Sequence, residues 1–424
     1  MTKRILLVAY HFPPVQGSSG LQRTLKFAQY LPSFGWQAAV LTAHPRAYER
    51  VTNDQVDDIP ASTFVRRAFA LDTARHLSIR GAYPRALALP DRWVSWWFGA
   101  VPAGLALVRR FKPDVIWSTF PIATAHLVGM TLARLTRLPW VADFRDAMTE
   151  DNYPENLTTR RAYRWIERRT VARCRAAVLT TSGSMRMYAD RYPALPENRW
   201  RLIANGYDEE NFLAAQRRVP AKAQADGPLV LVHSGILYPY ERDPRALLAA
   251  LVRLRHKQKL PARGLRIVLR ATGHDEYHRK LIAEYGVADI VAVEPALPYV
   301  DALAEMMASD GLIVVQASVN NHLIPAKIYE YLRAGRPILA LTDPRGDTAT
   351  LLRDAGLDAI APLDDSEAIE RVLGDFLAQL EDGSAPFVRP TDAQRHSRKG
   401  RTAELARVLD EIVVNPHNAT LHTT

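Results

Sequence analysis

The stretch GLIVVQASVNNHLIPAKIYEYLRAGRPILA, residues 311–340, carries most of the evidence for the fold. It opens with a short apolar run at 312–316, which is typical of a buried strand. A polar loop follows, then a helix of about ten residues that leads to a second apolar run at 337–341. Pro325 suits the first helical position and Gly335 suits the position just after the helix. This order of strand, helix and strand predicts a parallel sheet.

The same alternation recurs along the whole chain, so we predict an α/β chain with two Rossmann-like domains in tandem. We place the first domain at 1–215, a polar linker at 216–227 and the second domain at 228–395. A last helix, 396–414, is expected to cross back to the first domain. The remaining predicted strands are 4–10, 36–41, 115–118, 140–143, 177–180, 228–232, 265–269 and 290–293.

Composition excludes several classes of protein. The 424 residues are 48% hydrophobic and 24% charged, which is ordinary for a globular chain. The single cysteine, Cys174, excludes a disulfide framework and a multi-cysteine metal site. Prolines and polar residues interrupt the one long uncharged stretch, 116–133, so we predict no membrane span. We expect the protein to lie in the cytoplasm, or on the inner face of the plasma membrane.

The net charge of +10 is unevenly distributed along the sequence. Residues 1–210 contain 29 Lys and Arg against 18 Asp and Glu, whereas residues 211–424 contain 26 against 27. Such asymmetry favours an anionic partner for the first half, although solubility alone is an alternative explanation. The arginine-rich segment 159–175 and the aromatic segment DRWVSWWF (91–98) make an anionic membrane surface one candidate, with core packing of the tryptophans as the alternative.

Common cofactor and metal motifs are missing from the sequence. No Gly-x-Gly-x-x-Gly follows a strand, and no P-loop occurs, so we expect no bound dinucleotide cofactor. There is no Asp-x-Asp pair and no His-Glu-x-x-His, so we expect no dedicated metal site. The basic residues are scattered arginines without a recognition module, which argues against nucleic acid as a partner.

Two segments of the second half predict an anion site. Lys327 and Glu330 share a face of the helix in 324–335, whose N-terminus points to the carboxyl edge of the sheet, where anions bind. A cation for a phosphate and a carboxylate for sugar hydroxyls suit a nucleotide-diphosphate ligand. The loop HSGILYPYERDPR (233–245) adds backbone amides and Arg242. The alternatives are a surface Lys–Glu pair and an Arg242 that pairs with Asp243 or is solvated.

Six segments together resemble a known family. They are PPVQGSSG (13–20) with Arg23, GW (35–36), VADFRD (141–146), IANGYD (203–208), HSG (233–235) and IPAKIYEYLRAG (324–335). In order and spacing they are similar to the retaining, nucleotide-sugar-dependent glycosyltransferases of family 4, particularly those that build bacterial surface polysaccharides. The resemblance implies the GT-B fold of two facing Rossmann-like domains, with the acceptor on the first and the donor on the second.

The resemblance also implies donor-binding residues. Glu330 matches the second Glu of the family's Glu-x7-Glu motif, which holds the ribose, whereas His322 replaces the first, beside the transferred sugar. Ile236 replaces the family's first phosphate-binding cation and Arg242 occupies the position of the second. We expect Lys327 to supply the missing charge. The predicted donor site therefore comprises Arg242 and Lys327 as catalytic cations, with Ser234, Gly235, Asn320, Asn321, His322 and Glu330.

On the first domain the resemblance implies a loop near the donor phosphates and acceptor, formed by Gly17, Ser18, Ser19 and Gly20 with Arg23. Arg145 stands at a position where the family often has a catalytic-cleft His. The flanking carboxylates, Asp143 and Asp146, either orient the acceptor or pair with Arg145 in a structural network.

The function implied is transfer of a hexose, with retention and without a metal or bound cofactor, from a nucleotide sugar to a glycan or polyprenyl-linked acceptor. Positive groups would stabilise the charge that grows on the leaving diphosphate. Two alternatives stay open. One is a GT-B-type nucleotide-sugar epimerase, and the other is a catalytically silent subunit that binds sugar nucleotide or polysaccharide, which His322 favours.

Overall fold

A computed structural model of the chain describes residues 2–16, 19–53, 55–151, 153–219 and 227–414. The strands are β1 Lys3–Val8, β2 Trp36–Ala43, β3 Phe64–Ala68, β4 Val115–Thr119, β5 Trp140–Arg145, β6 Ala176–Leu179, β7 Trp200–Leu202, β8 Leu229–Ser234, β9 Leu265–Arg270, β10 Val291–Glu294, β11 Gly311–Val315, β12 Ile338–Leu341 and β13 Ile360–Ala361. The helices are α1 Ser19–Tyr30, α2 Thr73–His76, α3 Trp96–Phe111, α4 Ala123–Thr136, α5 Leu157–Arg173, α6 Ser182–Arg191, α7 Glu209–Gln216, α8 Arg245–His256, α9 Asp275–Glu284, α10 Tyr299–Ala308, α11 Lys327–Ala334, α12 Asp347–Asp354, α13 Ser366–Asp382, α14 Pro390–Ala393 and α15 Arg398–Val414.

The first compact unit comprises residues 1–205 together with 398–424. Its sheet has the order β3-β2-β1-β4-β5-β6-β7, and every neighbouring pair is parallel. The inner strands are buried on both sides, as expected for a parallel sheet covered by helices on both faces. Helix α15 belongs to this unit, because Leu405 and Leu409 are fully buried in the same apolar cluster as Ile5 and Leu7.

The second compact unit comprises residues 206–397. Its sheet has the order β10-β9-β8-β11-β12-β13, again entirely parallel. The unit begins ahead of position 215 because α7 packs within it. There Phe212 is fully buried, and Glu209 Oε2 accepts a hydrogen bond from Arg333 Nε at 2.8 Å. The two parallel sheets confirm the predicted α/β class.

The helix after β11 is shorter than predicted. It begins at Lys327, with Ala326 as the capping residue, so Pro325 lies two residues before the helix and not at its first position. The turn at Pro325 is tighter than an α-helix, since the Ile328 amide donates to the Pro325 carbonyl at 3.0 Å. Gly335 follows the helix with φ 67°, the left-handed conformation expected of a glycine at this position.

Candidate active site

Two side chains of helix α11 form hydrogen bonds with the end of β8. Tyr331 Oη accepts a hydrogen bond from the Ser234 amide at 2.9 Å, and Lys327 Nζ donates to the Ser234 carbonyl at 2.6 Å. Lys327 and Tyr331 are four residues apart and therefore lie on one face of the helix. The predicted donor residues Ser234, Gly235 and Lys327 are thus brought together at the carboxyl edge of the second sheet.

Gly235 has the backbone conformation that this contact requires. Its φ is 128°, a region that side chains rarely adopt, and a Cβ atom there would collide with Lys327 Nζ. The ammonium group therefore lies directly over a bare stretch of backbone. The absence of a side chain at position 235 is therefore what lets the Lys327 ammonium reach the end of β8.

Arg242 lies beside the same loop. Its Nη1 donates to the Ile236 carbonyl at 3.0 Å, and its guanidinium carbon is 5.7 Å from the centroid of the Tyr238 ring. Its Nε is buried without a hydrogen-bond partner. Within the described parts of the chain, no carboxylate lies within 4 Å of either the Arg242 guanidinium or the Lys327 ammonium. Among the described residues, the two cations therefore have no carboxylate in direct contact.

Burial and the nearby positive charges lower the pKa values of Lys327 and of the adjacent His233. Burial and, next, the charge of Arg242 lower the pKa of Lys327 to about 8. His233 is fully buried, with Nδ1 2.9 Å from the Ile313 carbonyl oxygen and Nε2 without a partner. Burial, followed by the charge of Lys327, holds the pKa of His233 well below its usual value, so the imidazole is neutral. A bound anion would relieve this repulsion between like charges.

Glu330 lies one turn from the Lys327 ammonium. It is half-buried, and its Oε1 accepts a hydrogen bond from Tyr299 Oη at 2.7 Å. Its charge acts on Lys327 in the opposite direction from Arg242, favouring the protonated amine. Tyr299 begins α10 and was not predicted as a site residue. Its relevance depends on a contact that the sequence pattern does not indicate.

The polar loop after β11 is held mainly by its own contacts. Gln316 Nε2 donates to the carbonyls of Asn320 at 2.8 Å and Leu323 at 2.9 Å. Asn321 Nδ2 donates to Asp343 Oδ2 at 2.7 Å, while its Oδ1 is buried without a partner. The Asn321 amide nitrogen, predicted for donor binding, is therefore engaged in holding the loop that follows β12. His322 is half-buried in the same loop.

In the first unit, Asp143 forms a buried ion pair with Arg23. Both Arg23 Nε and Nη2 donate to its two oxygens at 2.9 Å, and Thr119 Oγ1 donates at 3.0 Å. Arg23 also donates to the carbonyls of Ile203 at 2.9 Å and Ala204 at 3.0 Å. The Asp143 carboxylate thus has a structural role, and its hydrogen-bonded ion-pair partner is Arg23 and not Arg145.

Arg145 has an unusual position at the end of β5. It is buried with φ 56°, and the register between β5 and β6 shifts between Asp143 and Arg145. Its Nη1 is 3.4 Å from the Phe120 carbonyl, and its Nε has no partner. Burial lowers the pKa of Arg145, whereas the neighbouring Asp146, which is exposed, raises it. A left-handed backbone at a buried arginine is a local strain of the kind found at functional sites.

His11 is a site residue that the sequence analysis missed. It follows β1 at the carboxyl edge of the first sheet, and burial together with the charge of Arg145 lowers its pKa to about 4. Its ring centroid lies 6.4 Å from that of Trp93. A polar residue immediately after a buried apolar strand was the available signal, because strand ends of parallel sheets carry binding residues.

The predicted glycine-rich loop of the first unit is only partly described. Gly17 and Ser18 lie outside the described residues. Ser19 and Gly20 are the first two residues of α1, and Arg23 is also in that helix, so these three are helical and not part of a loop as predicted. The shift is small, because helix starts are less well defined by sequence than helix centres.

The aromatic segment 91–98 packs mainly into the first unit. Trp96 is fully buried, Trp97 Nε1 donates to Thr131 Oγ1 at 3.1 Å, and the Trp93 ring lies 5.2 Å from that of Tyr10. Phe98, by contrast, is 68% exposed. These contacts favour core packing of the tryptophans.

None of the described helices combines the length and apolar character needed to cross a bilayer. In the same residues, no cluster of three or more His, Cys, Asp or Glu side chains could hold a metal ion.

Comparison of the whole fold with solved structures identifies its class. The Anabaena protein HepE in complex with UDP and glucose superposes with a TM-score of 0.63 at 15% identity, covering 96% of this chain and 100% of that one. Sucrose-phosphate synthase from Thermosynechococcus elongatus gives 0.61 at 15% identity, covering 98% and 97%. UDP-GlcNAc 2-epimerase from Neisseria meningitidis gives 0.54 at 10% identity, covering 96% and 100%. The chain has the GT-B fold, as predicted.

The family comparison gives the narrower result. Residues 20–206 match the model of the glycosyl transferase 4-like domain, which confirms the resemblance for the first unit. Residues 20–206 are therefore similar to that glycosyltransferase domain, in a chain that has the GT-B fold. No curated protein sequence matches it.

Proposed function

We propose that this chain is a retaining glycosyltransferase that moves a hexose from a nucleotide-diphosphate sugar to a glycan or lipid-linked acceptor. The observation that carries the proposal is the pair of cations at Ser234 and Gly235, where Arg242 and Lys327 have no described carboxylate within 4 Å. A diphosphate supplies the missing negative charge. The glycosyl transferase 4-like domain and the structures with UDP or UDP-sugar ligands support this choice of substrate.

The donor residues divide into two roles in this proposal. When the bond between sugar and diphosphate breaks, negative charge grows on the leaving group, so Arg242 and Lys327 stabilise the transition state more than the bound substrate. Glu330 accepts hydrogen bonds from the ribose hydroxyls. Its contact with Tyr299 Oη, 2.7 Å long, fixes the carboxylate in place. No protein nucleophile is required if the acceptor hydroxyl attacks from the face that the leaving diphosphate occupies, with that phosphate accepting the proton.

The first unit is assigned to the acceptor. Arg145, Asp146 and the neutral His11 are the polar groups at the carboxyl edge of its sheet that are proposed to contact the acceptor, whereas Asp143 holds Arg23. The positive charge of residues 1–210 supports an acceptor with phosphate groups, such as a polyprenyl diphosphate at the inner face of the membrane. We therefore propose surface polysaccharide synthesis as the pathway class.

A donor screen with product analysis tests the proposal. The purified protein is incubated with UDP-, GDP- and dTDP-hexoses, first without acceptor and then with glycan and polyprenyl-linked acceptors, and the anomeric configuration of the product is read by NMR. We expect one donor to be used, with retention, and undiminished transfer in excess EDTA. An inverted product, or activity lost in EDTA and restored by magnesium, would contradict the mechanism.

An epimerase is the second candidate, because UDP-GlcNAc 2-epimerases from three organisms also share this fold at TM-scores of 0.54 to 0.56. The same screen separates the two activities. An epimerase converts its nucleotide sugar without an acceptor and keeps the sugar on the nucleotide. A silent binding subunit, the third alternative, binds a donor but neither hydrolyses nor transfers it.

A further inference from the structure

Four arginines surround one cavity at the amino edge of the first sheet. The cavity has a volume of about 520 Å³ and lies where α4 and α5 end and where β5 and β6 begin. Arg134 and Arg137 come from the end of α4, and Arg173 and Arg175 from the end of α5. Apolar residues, Met130 and Trp140 among them, complete the lining, and no acidic residue takes part.

Three of these guanidinium groups have almost no partners. Within the described residues, Arg134, Arg137 and Arg173 form no ion pair, and their only side-chain hydrogen bond runs from Arg173 Nη1 to Met130 Sδ at 3.4 Å. Helix capping does not explain these three arginines, because a capping arginine would donate to the last carbonyl oxygens of its helix. Elsewhere in the unit, Arg23 and Arg191 each pair with a buried carboxylate.

A second arginine-lined cavity provides the contrast. It has a volume of about 500 Å³ and is lined by Arg161, Arg164 and Arg168 of α5 and by Arg191, but Glu150 and Asp151 line it as well. Its positive charge is therefore partly offset by acidic residues of the cavity itself. Within the described residues, no acidic side chain lines the cavity at the amino edge, and like charges gathered in one concave space favour an anion between them.

The backbone at Arg137 supports the same conclusion. This residue follows α4 with φ 60° and ψ 16°, the left-handed conformation that glycine or asparagine usually occupies at a helix end. An arginine there costs backbone energy, so its presence is better explained by its side chain than by the turn.

We infer that this cavity binds a phosphate-bearing anion, at a site separate from the candidate active site. Planar guanidinium groups donate two parallel hydrogen bonds to phosphate oxygens, which suits several arginines around one phosphate. The cavity lies at the start of β5, whereas Arg145 lies at its end, roughly 16 Å away along the strand. Free phosphate or pyrophosphate and the headgroup of an acidic phospholipid share this chemistry.

Binding to the full-length protein tests the inference without any sugar transfer. Inorganic phosphate and pyrophosphate are titrated by calorimetry, and flotation is measured with phosphatidylglycerol and with phosphatidylcholine vesicles. The cavity variant is Arg134→Ala/Arg173→Ala, and the matched control is Arg164→Ala/Arg168→Ala, which removes the same charge from the other cavity. All four residues are exposed, so both variants should fold.

We expect the wild type to bind one of the two sources, and the cavity variant to lose at least about tenfold in affinity while the control changes less than about twofold. Phosphate or pyrophosphate binding that is lost in the cavity variant identifies a soluble ligand, and binding to phosphatidylglycerol vesicles alone that is lost in that variant identifies a headgroup. Arg134→Lys/Arg173→Lys keeps the charge but lacks the paired donors, so it should bind more weakly than wild type. Absence of binding in the wild type, or equal losses in cavity variant and control, would overturn the inference.

Discussion

The carboxyl edges of the two sheets both contain buried or half-buried charges, but the charges are balanced differently. In the first unit Asp143 and Arg23 are matched, with two hydrogen bonds of 2.9 Å between them and a further one from Thr119. In the second unit Arg242 and Lys327 are like charges, and among the described residues each donates only to a backbone carbonyl. The matched pair is a buried structural contact, whereas the unmatched cations are the groups that we propose to meet the diphosphate.

In the first unit, we expect the largest effect on stability from Asp143→Ala. It leaves the Arg23 guanidinium buried without a counter-charge, so the free energy of unfolding should fall by about 3–5 kcal/mol. Denaturant unfolding measures the change. The neighbouring Asp146→Ala, at an exposed carboxylate, should change it by less than about 0.5 kcal/mol. Equal destabilisation by both variants would remove the distinction between the two carboxylates.

In the second unit, loss of either Arg242 or Lys327 should affect turnover more than stability. Arg242→Ala and Lys327→Ala should each lower kcat by about 10²–10³, because the charge that they meet grows in the transition state. Donor binding should weaken less than kcat falls. Arg245→Ala, which removes an exposed arginine paired with Asp243, is the control and should leave kcat near wild type. Wild-type turnover in either cation variant would exclude that residue from the site.

The pH dependence tests the role of Lys327 from another direction. Its pKa of about 8 means that the free enzyme carries the ammonium charge below pH 8 and loses it as the pH rises through this value. We therefore expect kcat/KM, which reports the free enzyme, to fall above about pH 8. Lys327→Arg, which stays charged, should shift that fall out of the measured range. A profile identical in both enzymes would assign the ionisation to another group.

The smallest effect is expected at Glu330, the carboxylate that we propose to bind the ribose. Glu330→Gln should weaken donor binding by about five- to tenfold with little change in kcat, because an amide accepts hydrogen bonds less strongly than a carboxylate. Tyr299→Phe, which removes the 2.7 Å hydrogen bond to Glu330, should weaken binding less. A 2′-deoxyribose donor should lose affinity with wild type but not with Glu330→Gln. If wild type uses both donors equally well, the ribose assignment fails.

The sequence predicted the long inner strands better than the edge strand β3 and the short strands β7 and β13. Inner strands such as β8 and β11 are continuous apolar runs, so they were recognised directly. Strand β3 was missed because Arg66 and Arg67 interrupt its apolar character, which an edge strand tolerates. Strand β7, of three residues, and strand β13, of two, are too short to show a periodic pattern.

For the site, residue types were predictable but their partners were not. Lys327 could be placed on a helix after β11, yet its hydrogen bond to Ser234, 93 positions away, depends on how that helix sits against β8. The Arg23 contact to Asp143 spans 120 positions and changed the interpretation of both residues. Such pairings are set by tertiary packing, which local spacing does not encode.

The most direct test compares nucleoside diphosphates with nucleotide sugars as ligands. A nucleoside diphosphate carries the charge that the leaving group acquires, so it should depend on the two cations more than the intact donor does. Calorimetry with UDP, GDP and dTDP and the matching sugars is carried out on wild type and on Arg242→Ala/Lys327→Ala. We predict that wild type binds one diphosphate, and that the double variant loses more affinity for it than for its sugar. Failure of wild type to bind any diphosphate, or unchanged binding in the double variant, would contradict the account.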